Sequence, residues 1–115
     1  MDRKNQNIKI MDKEQAIKFV ERYVTIVSNR YAVKQVFLFG SIARGNNLPD
    51  SDIDLAFVFP KVDDIIDLQI ELLKMRSDDE LCIEPHPFCQ SEFDFSNPVA
   101  AEVIKHGIEL DQVAV

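Results

Sequence analysis

Gly40-Ser41-Ile42-Ala43-Arg44-Gly45-Asn46-Asn47-Leu48-Pro49-Asp50-Ser51-Asp52-Ile53-Asp54-Leu55 is the stretch on which the reading of this chain turns. Just before it, Gln35-Val36-Phe37-Leu38-Phe39 has the length and continuous apolar character of a buried strand that stops at Gly40. At its far end, Asp52-Ile53-Asp54-Leu55-Ala56-Phe57-Val58-Phe59 reads as a second strand, closed by Pro60. The residues between, Ser41 to Ser51, are mostly small or polar and predict a short helical turn followed by a loop.

Two features of this stretch carry chemistry. Gly40 permits a close backbone approach, and the N–H groups of the turn together with the Ser41 hydroxyl suit phosphate oxygens. Taken alone, a Gly-Ser pair after a strand is a turn signal and nothing more. The second feature is the acidic pair. Side chains alternate along a strand, so Asp52 and Asp54 share one face, about 7 Å apart at the backbone, while Ile53 and Leu55 point into the core. Like charges so placed repel unless a cation lies between them, and Mg²⁺ takes few carboxylates plus substrate phosphates. Aspartate is also depleted in strands. By residue pattern alone, a solvated strand end with two surface acids remains the alternative.

Outward from this centre the pattern is mixed. Asp12 and Gln15 form a capping-box signature before paired apolar residues from Ala16 to Val27, which predicts a helix over about 12–30. Asp63 is placed to cap a helix running to about Arg76, with Ile65, Ile66, Leu68, Ile70, Leu72 and Leu73 as its apolar surface. Leu81-Cys82-Ile83-Glu84 predicts a third strand, stopped by Pro85 and Pro87. Ser96 or Asn97 caps a last helix with Pro98 in its first turn and Lys105-His106-Gly107 as the end signal. The fold class is therefore α/β (α+β): a small mixed sheet with helices packed on it. A chain of 115 residues makes a single domain over residues 1–115, with 1–11 expected to be frayed.

Composition narrows the function. The 46% apolar content supports a packed globule, and no apolar run approaches the ~20 residues that span a bilayer. The N-terminus is polar and lacks a signal-peptide core, so a cytoplasmic, membrane-free protein is expected. Thirteen basic against twenty acidic residues give a net charge of −7, the wrong sign for gripping a nucleic-acid backbone. That charge suits a metal site or a basic partner, or simply solubility. Cys82, His86 and Cys89 supply three zinc-type donors without a fourth, and read as free thiols beside a satisfied or solvent-facing histidine.

The two features together, Gly-Ser, ten intervening residues, then Asp-x-Asp, closely resemble the signature of the DNA polymerase beta-like nucleotidyltransferase superfamily. The flanks, Gly-Ser-x-Ala-Arg-Gly and Ser-Asp-Ile-Asp-Leu, resemble those of its minimal nucleotidyltransferase (MNT) subclass, and the likeness extends over about 15–110. The tail from Asn97 to Leu110 is similar to the closing helix and strand of that subclass. The resemblance implies that Asp52 and Asp54 ligate two Mg²⁺ ions and that Gly40 and Ser41 bind the phosphates of an NTP, ATP by family habit. It also implies a third carboxylate on a neighbouring strand, for which Glu84 is the candidate both as metal ligand and as catalytic group. Arg44 faces the same turn, either pairing with phosphate or bracing the loop through Asp50 or Asp52. Similar minimal proteins act as antitoxins beside helical HEPN proteins, so a HEPN-type partner accepting AMP on a hydroxyl is expected, in a hetero-complex or a homo-oligomer. Two alternatives stand beside it: a non-catalytic nucleotide- or partner-binding antitoxin, and a transferase acting on a small molecule such as an aminoglycoside.

Overall fold

The structure, a computed structural model, describes residues 10–111; the expected fraying of the first decade lies, for residues 1–9, outside the described residues. Helix α1 (Lys13–Arg30) is followed by β1 (Gln35–Phe39), the single turn α2 (Ser41–Arg44) and β2 (Ile53–Phe59). Next come α3 (Ile65–Lys74), β3 (Ile83–Cys89), α4 (Pro98–His106) and the two-residue β4 (Ile108–Glu109). The sheet order is β3-β2-β1-β4, with β1 antiparallel to both β2 and β4 and β3 parallel to β2. This is the mixed sheet expected.

Each element follows from local chemistry completed by burial. The capping box of α1 is formed, with Gln15 N–H donating to Asp12 Oδ1 at 2.8 Å and Asp12 N–H to Gln15 Oε1 at 2.9 Å. From there Ala16, Val20, Tyr23, Val24 and Val27 are buried along one stripe. That stripe packs on the sheet face carrying Val36, Leu38, Ile53, Leu55 and Phe57, and Leu72 of α3 joins the same cluster. Tyr23 ties the two helices together by donating its hydroxyl to the Leu72 carbonyl at 2.5 Å. On the opposite face, Ala100 and Val103 of α4 pack against Phe39, Ala56 and Phe88. Asn97, one of the two residues expected to cap α4, accepts from the N–H groups of Val99 and Ala100 at 2.9 and 3.1 Å.

Three elements differ from expectation at their boundaries. Helix α3 is capped by Asp64 rather than Asp63, accepting from Ile66 and Asp67, and it ends at Lys74. Strand β2 begins at Ile53, which leaves Asp52 at its mouth rather than within the ladder. The largest correction is β3: Pro85 and Pro87 do not stop it but lie inside it. The reason is position. β3 is an edge strand, and Pro85 and Pro87 share the parity whose hydrogen-bonding groups face away from β2, where a missing N–H costs no ladder bond. The outward carbonyls of that edge are served by side chains. Arg76 Nη1 donates to Leu81 O at 2.8 Å and Ile83 O at 3.1 Å, and Gln69 Nε2 donates to Pro85 O at 2.7 Å. An edge so blunted is a poor template for further pairing.

Candidate active site

The site lies where the C-terminal end of β1 meets the N-terminal ends of β2 and β3. Leu55 and Ile53 turn toward α1 and α3, so Asp54 points to the α4 side of the sheet. The register sets Phe39 opposite Asp54 on one flank and Glu84 opposite it on the other. Parallel neighbours in register present their side chains to the same face, so Asp54 and Glu84 stand side by side on strands about 4.8 Å apart. Both are half-buried, whereas Asp52 is exposed at the rim. Among the described residues no three His, Cys, Asp or Glu side chains close into a metal cage. The structure thus brings Asp54 and Glu84 together and leaves Asp52 just outside the strand.

Gly40 is required here by geometry. Its φ of +82° and ψ of −156° fall in a region essentially closed to other residues. A Cβ at this position would collide with Asp54 Oδ2. The absence of a side chain at residue 40 is what lets the β1–α2 backbone lie directly against the carboxylate. Ser41 then opens α2, whose first N–H groups lack intrahelical partners, as at any helix start. Gly45, left-handed at φ +79°, ends the turn.

The loop that follows is held at both ends. Asn47, buried, donates from Nδ2 to Met11 O at 2.9 Å. Leu48 N–H donates to Ser51 Oγ at 2.8 Å, and Ser51 N–H to Leu48 O at 3.0 Å. These bonds deliver the chain to Asp52 in a defined direction.

Arg44 and His86 find partners that lie far away in sequence. Arg44 Nη1 donates to Glu102 Oε2 of α4 at 2.5 Å, so the bracing partner is Glu102 and neither Asp50 nor Asp52. His86 Nε2 stands 3.1 Å from Asp54 Oδ1, and its ring meets Phe39 edge-on with centroids 5.0 Å apart. Of the two settings read from sequence, satisfied or solvent-facing, the histidine takes the first, and its partner is the central carboxylate. Its only sequence signal is its place two residues after Glu84, on the same face of β3. Cys82 lies just before that strand and Cys89 ends it, roughly 23 Å apart at the rise of an extended chain, too far to share an ion with His86. Burial pushes the Cys82 thiol up from its ordinary range, while a hydrogen bond with Ser91 pulls that of Cys89 down.

The family model for the nucleotidyltransferase domain matches residues 20–107, and the chain belongs to that family. No protein of curated function matches the chain. Among solved structures it is similar to a Sulfolobus solfataricus protein classed as a nucleotidyltransferase. The identity there is 22%, with 86% of this chain and 82% of that one covered at a TM-score of 0.64. It is also similar to a chain of a toxin–antitoxin complex with AMP-PNP, at 18% identity, 81% and 73% coverage and a TM-score of 0.54. A third likeness is to a chain of the complex between tri-AMPylated Shewanella oneidensis HEPN toxin and its MNT antitoxin. There the identity is 16%, with 84% and 73% coverage and a TM-score of 0.53. At these identities the structural likeness establishes the nucleotidyltransferase fold. No helix among the described residues is long and apolar enough to cross a membrane.

Proposed function

We propose that this chain transfers AMP from ATP to a hydroxyl of a HEPN-type helical partner, acting as the antitoxin of a toxin–antitoxin pair. The observation that carries the reading is the meeting of Gly40-Ser41, Asp54 and Glu84 at one end of the sheet. The nucleotide is supported by the similar complex with AMP-PNP, and the acceptor by the similar complex with an AMPylated HEPN toxin.

The donor set is all carboxylate oxygen, which fits a hard cation, and the side-chain-free cradle at Gly40 keeps Asp54 unobstructed. Asp52, Asp54 and Glu84 would hold two Mg²⁺ ions. When bound, these supply Lewis-acid stabilisation of the charge on the attacking and leaving oxygens. The chain's own residues position the reactants. The N–H groups and hydroxyl of the Gly40-Ser41 turn receive the phosphate oxygens. Glu84 orients the acceptor hydroxyl and takes its proton as the new O–P bond forms at the α-phosphorus and the bond to pyrophosphate breaks. Arg44, held by Glu102, acts first as a brace for α2.

Thermal unfolding with ATP, with and without Mg²⁺, tests the site without knowledge of the acceptor. Ligand at ~100 times its dissociation constant adds about 2.7 kcal/mol, a shift on the order of 10 °C in a domain this small. The expected shift requires Mg²⁺ and vanishes in Asp52→Asn/Asp54→Asn. Labelled AMP should then pass from ATP to the partner protein. If none of the NTPs gives a shift, alone or with the partner, the transferase reading fails. Continued protection by Asp52→Asn/Asp54→Asn would instead identify an antitoxin that acts by contact.

A further inference from the structure

His86 lies outside the Gly-Ser and Asp-x-Asp signature, yet its setting is tightly constrained. It stands on β3 opposite Ala56, two residues beyond Glu84. Ala56 is fully buried and offers only a methyl group, so the imidazole leans diagonally across β2 toward Asp54. Diagonal neighbours in a sheet are ~7–8 Å apart, within the reach of an aromatic side chain. On its other side the ring abuts Phe39, the centroids 5.0 Å apart and the planes inclined by 68°. Phe39 is itself fixed in the cluster formed with Ala100 and Val103 of α4. The imidazole thus sits between the buried Phe39 ring and the carboxylate.

Asp54 is held from two directions. Oδ2 lies against the Gly40 backbone, where no side chain fits, and Oδ1 faces His86 Nε2 at 3.1 Å. A carboxylate has about four lone-pair sites, so one hydrogen bond leaves the others available. Without that bond only the packing of Oδ2 against Gly40 would restrain the terminal torsion, which is broad for aspartate.

We infer that His86 is a positioning residue for Asp54. An N–H at Nε2 of the imidazole donates to Oδ1 and turns the remaining lone pairs toward the space shared by Glu84 and the Gly40-Ser41 turn. This rests on the metal–nucleotide reading of the same site.

The test separates the ring from its proton. His86→Phe keeps an aromatic body against Phe39 and removes the donor. His86→Gln loses the ring and keeps an N–H near the position of Nε2. Mn²⁺ binding is read by electron paramagnetic resonance in the presence of α,β-methylene-ATP, which cannot transfer AMP, and folding is checked by circular-dichroism melting. Wild type should bind Mn²⁺, and Asp54→Asn should abolish binding. His86→Phe should weaken it by about tenfold or more while remaining folded, the usual range when a ligand loses its orienting hydrogen bond. His86→Gln should recover most of the loss. Binding by His86→Phe at the wild-type level, or a His86→Gln variant no better than His86→Phe, overturns the inference while leaving the site reading intact. Wild-type binding that is absent, or indifferent to Asp54→Asn, overturns both.

Discussion

Replacing Gly40 by alanine should damage the site out of proportion to its effect on the fold, and Gly45→Ala is the control. Both glycines have positive φ, +82° and +79°, but their surroundings differ. At Gly45 the conformation is left-handed α and a Cβ meets nothing within 4 Å. Alanine there should cost ~1–2 kcal/mol, the left-handed penalty alone. At Gly40 the ψ of −156° lies in the nearly glycine-only region, worth ~1–3 kcal/mol for another residue. The new methyl also collides with Asp54 Oδ2, so the carboxylate must swing away and break its contact with His86. A hydrogen bond of that kind adds ~1 kcal/mol or more. Gly40→Ala should therefore lose ~2–4 kcal/mol in all. That is tolerable against the ~5–15 kcal/mol typical of a domain. Urea unfolding measures the stabilities, and the Mg²⁺-dependent thermal shift with ATP measures the site. Gly45→Ala should melt lower by roughly 4–12 °C and keep the full ATP shift. Gly40→Ala should stay folded and lose it. If Gly40→Ala retains the wild-type ATP shift, the contact between this glycine and Asp54 is not what makes the site.

Three further outcomes follow from particular contacts. Arg44–Glu102 is a half-exposed pair, so a double-mutant cycle with alanine should give a coupling of ~1 kcal/mol or less, shrinking as salt is added. Burial raises the Tyr23 phenol above its ordinary value, so its stabilising contribution is complete below pH ~10 and is lost as pH climbs toward the raised value. Tyr23→Phe should cost ~1–2 kcal/mol at neutral pH and flatten the alkaline fall in urea midpoint. Cys89, drawn down by Ser91, should be alkylated by iodoacetamide before Cys82, which burial pushes up; mass spectrometry of a time course orders the two.

Local signals were legible in the sequence wherever the physics is local. The Asp12/Gln15 box, the Asn97-Pro98 start and the Gly40 stop each depend on residues within one turn of one another, and each is in place. The adjacent acids Asp63 and Asp64 are chemically equal as caps, and only the helix geometry selects Asp64. Proline argues against a strand in general, so β3 looked as if it ended at Glu84. Its continuation depends on β3 being an edge and on Arg76 and Gln69 serving the outward carbonyls, facts of tertiary structure. The partners of Arg44 and His86 were illegible for the same reason. Glu102 is 58 residues from Arg44, and Asp54 is 32 residues from His86.

The arrangement also explains why one mixed sheet suffices to assemble the site. Because β1 runs antiparallel to β2, its C-terminal end, with Gly40 and Ser41, falls beside the N-terminal end of β2. Because β3 runs parallel to β2, its own N-terminal end, with Glu84, falls at that same place. Opposite strand polarities on the two flanks therefore bring the Gly40-Ser41 turn and two carboxylates together. A slip of one residue between β2 and β3 would send Glu84 and His86 to the face occupied by α1 and α3. Pro85 and Pro87 resist that slip, since it would turn their missing N–H groups toward β2 and leave acceptors there unpaired. The two prolines that seemed to end the strand thus help to fix the register on which the site depends.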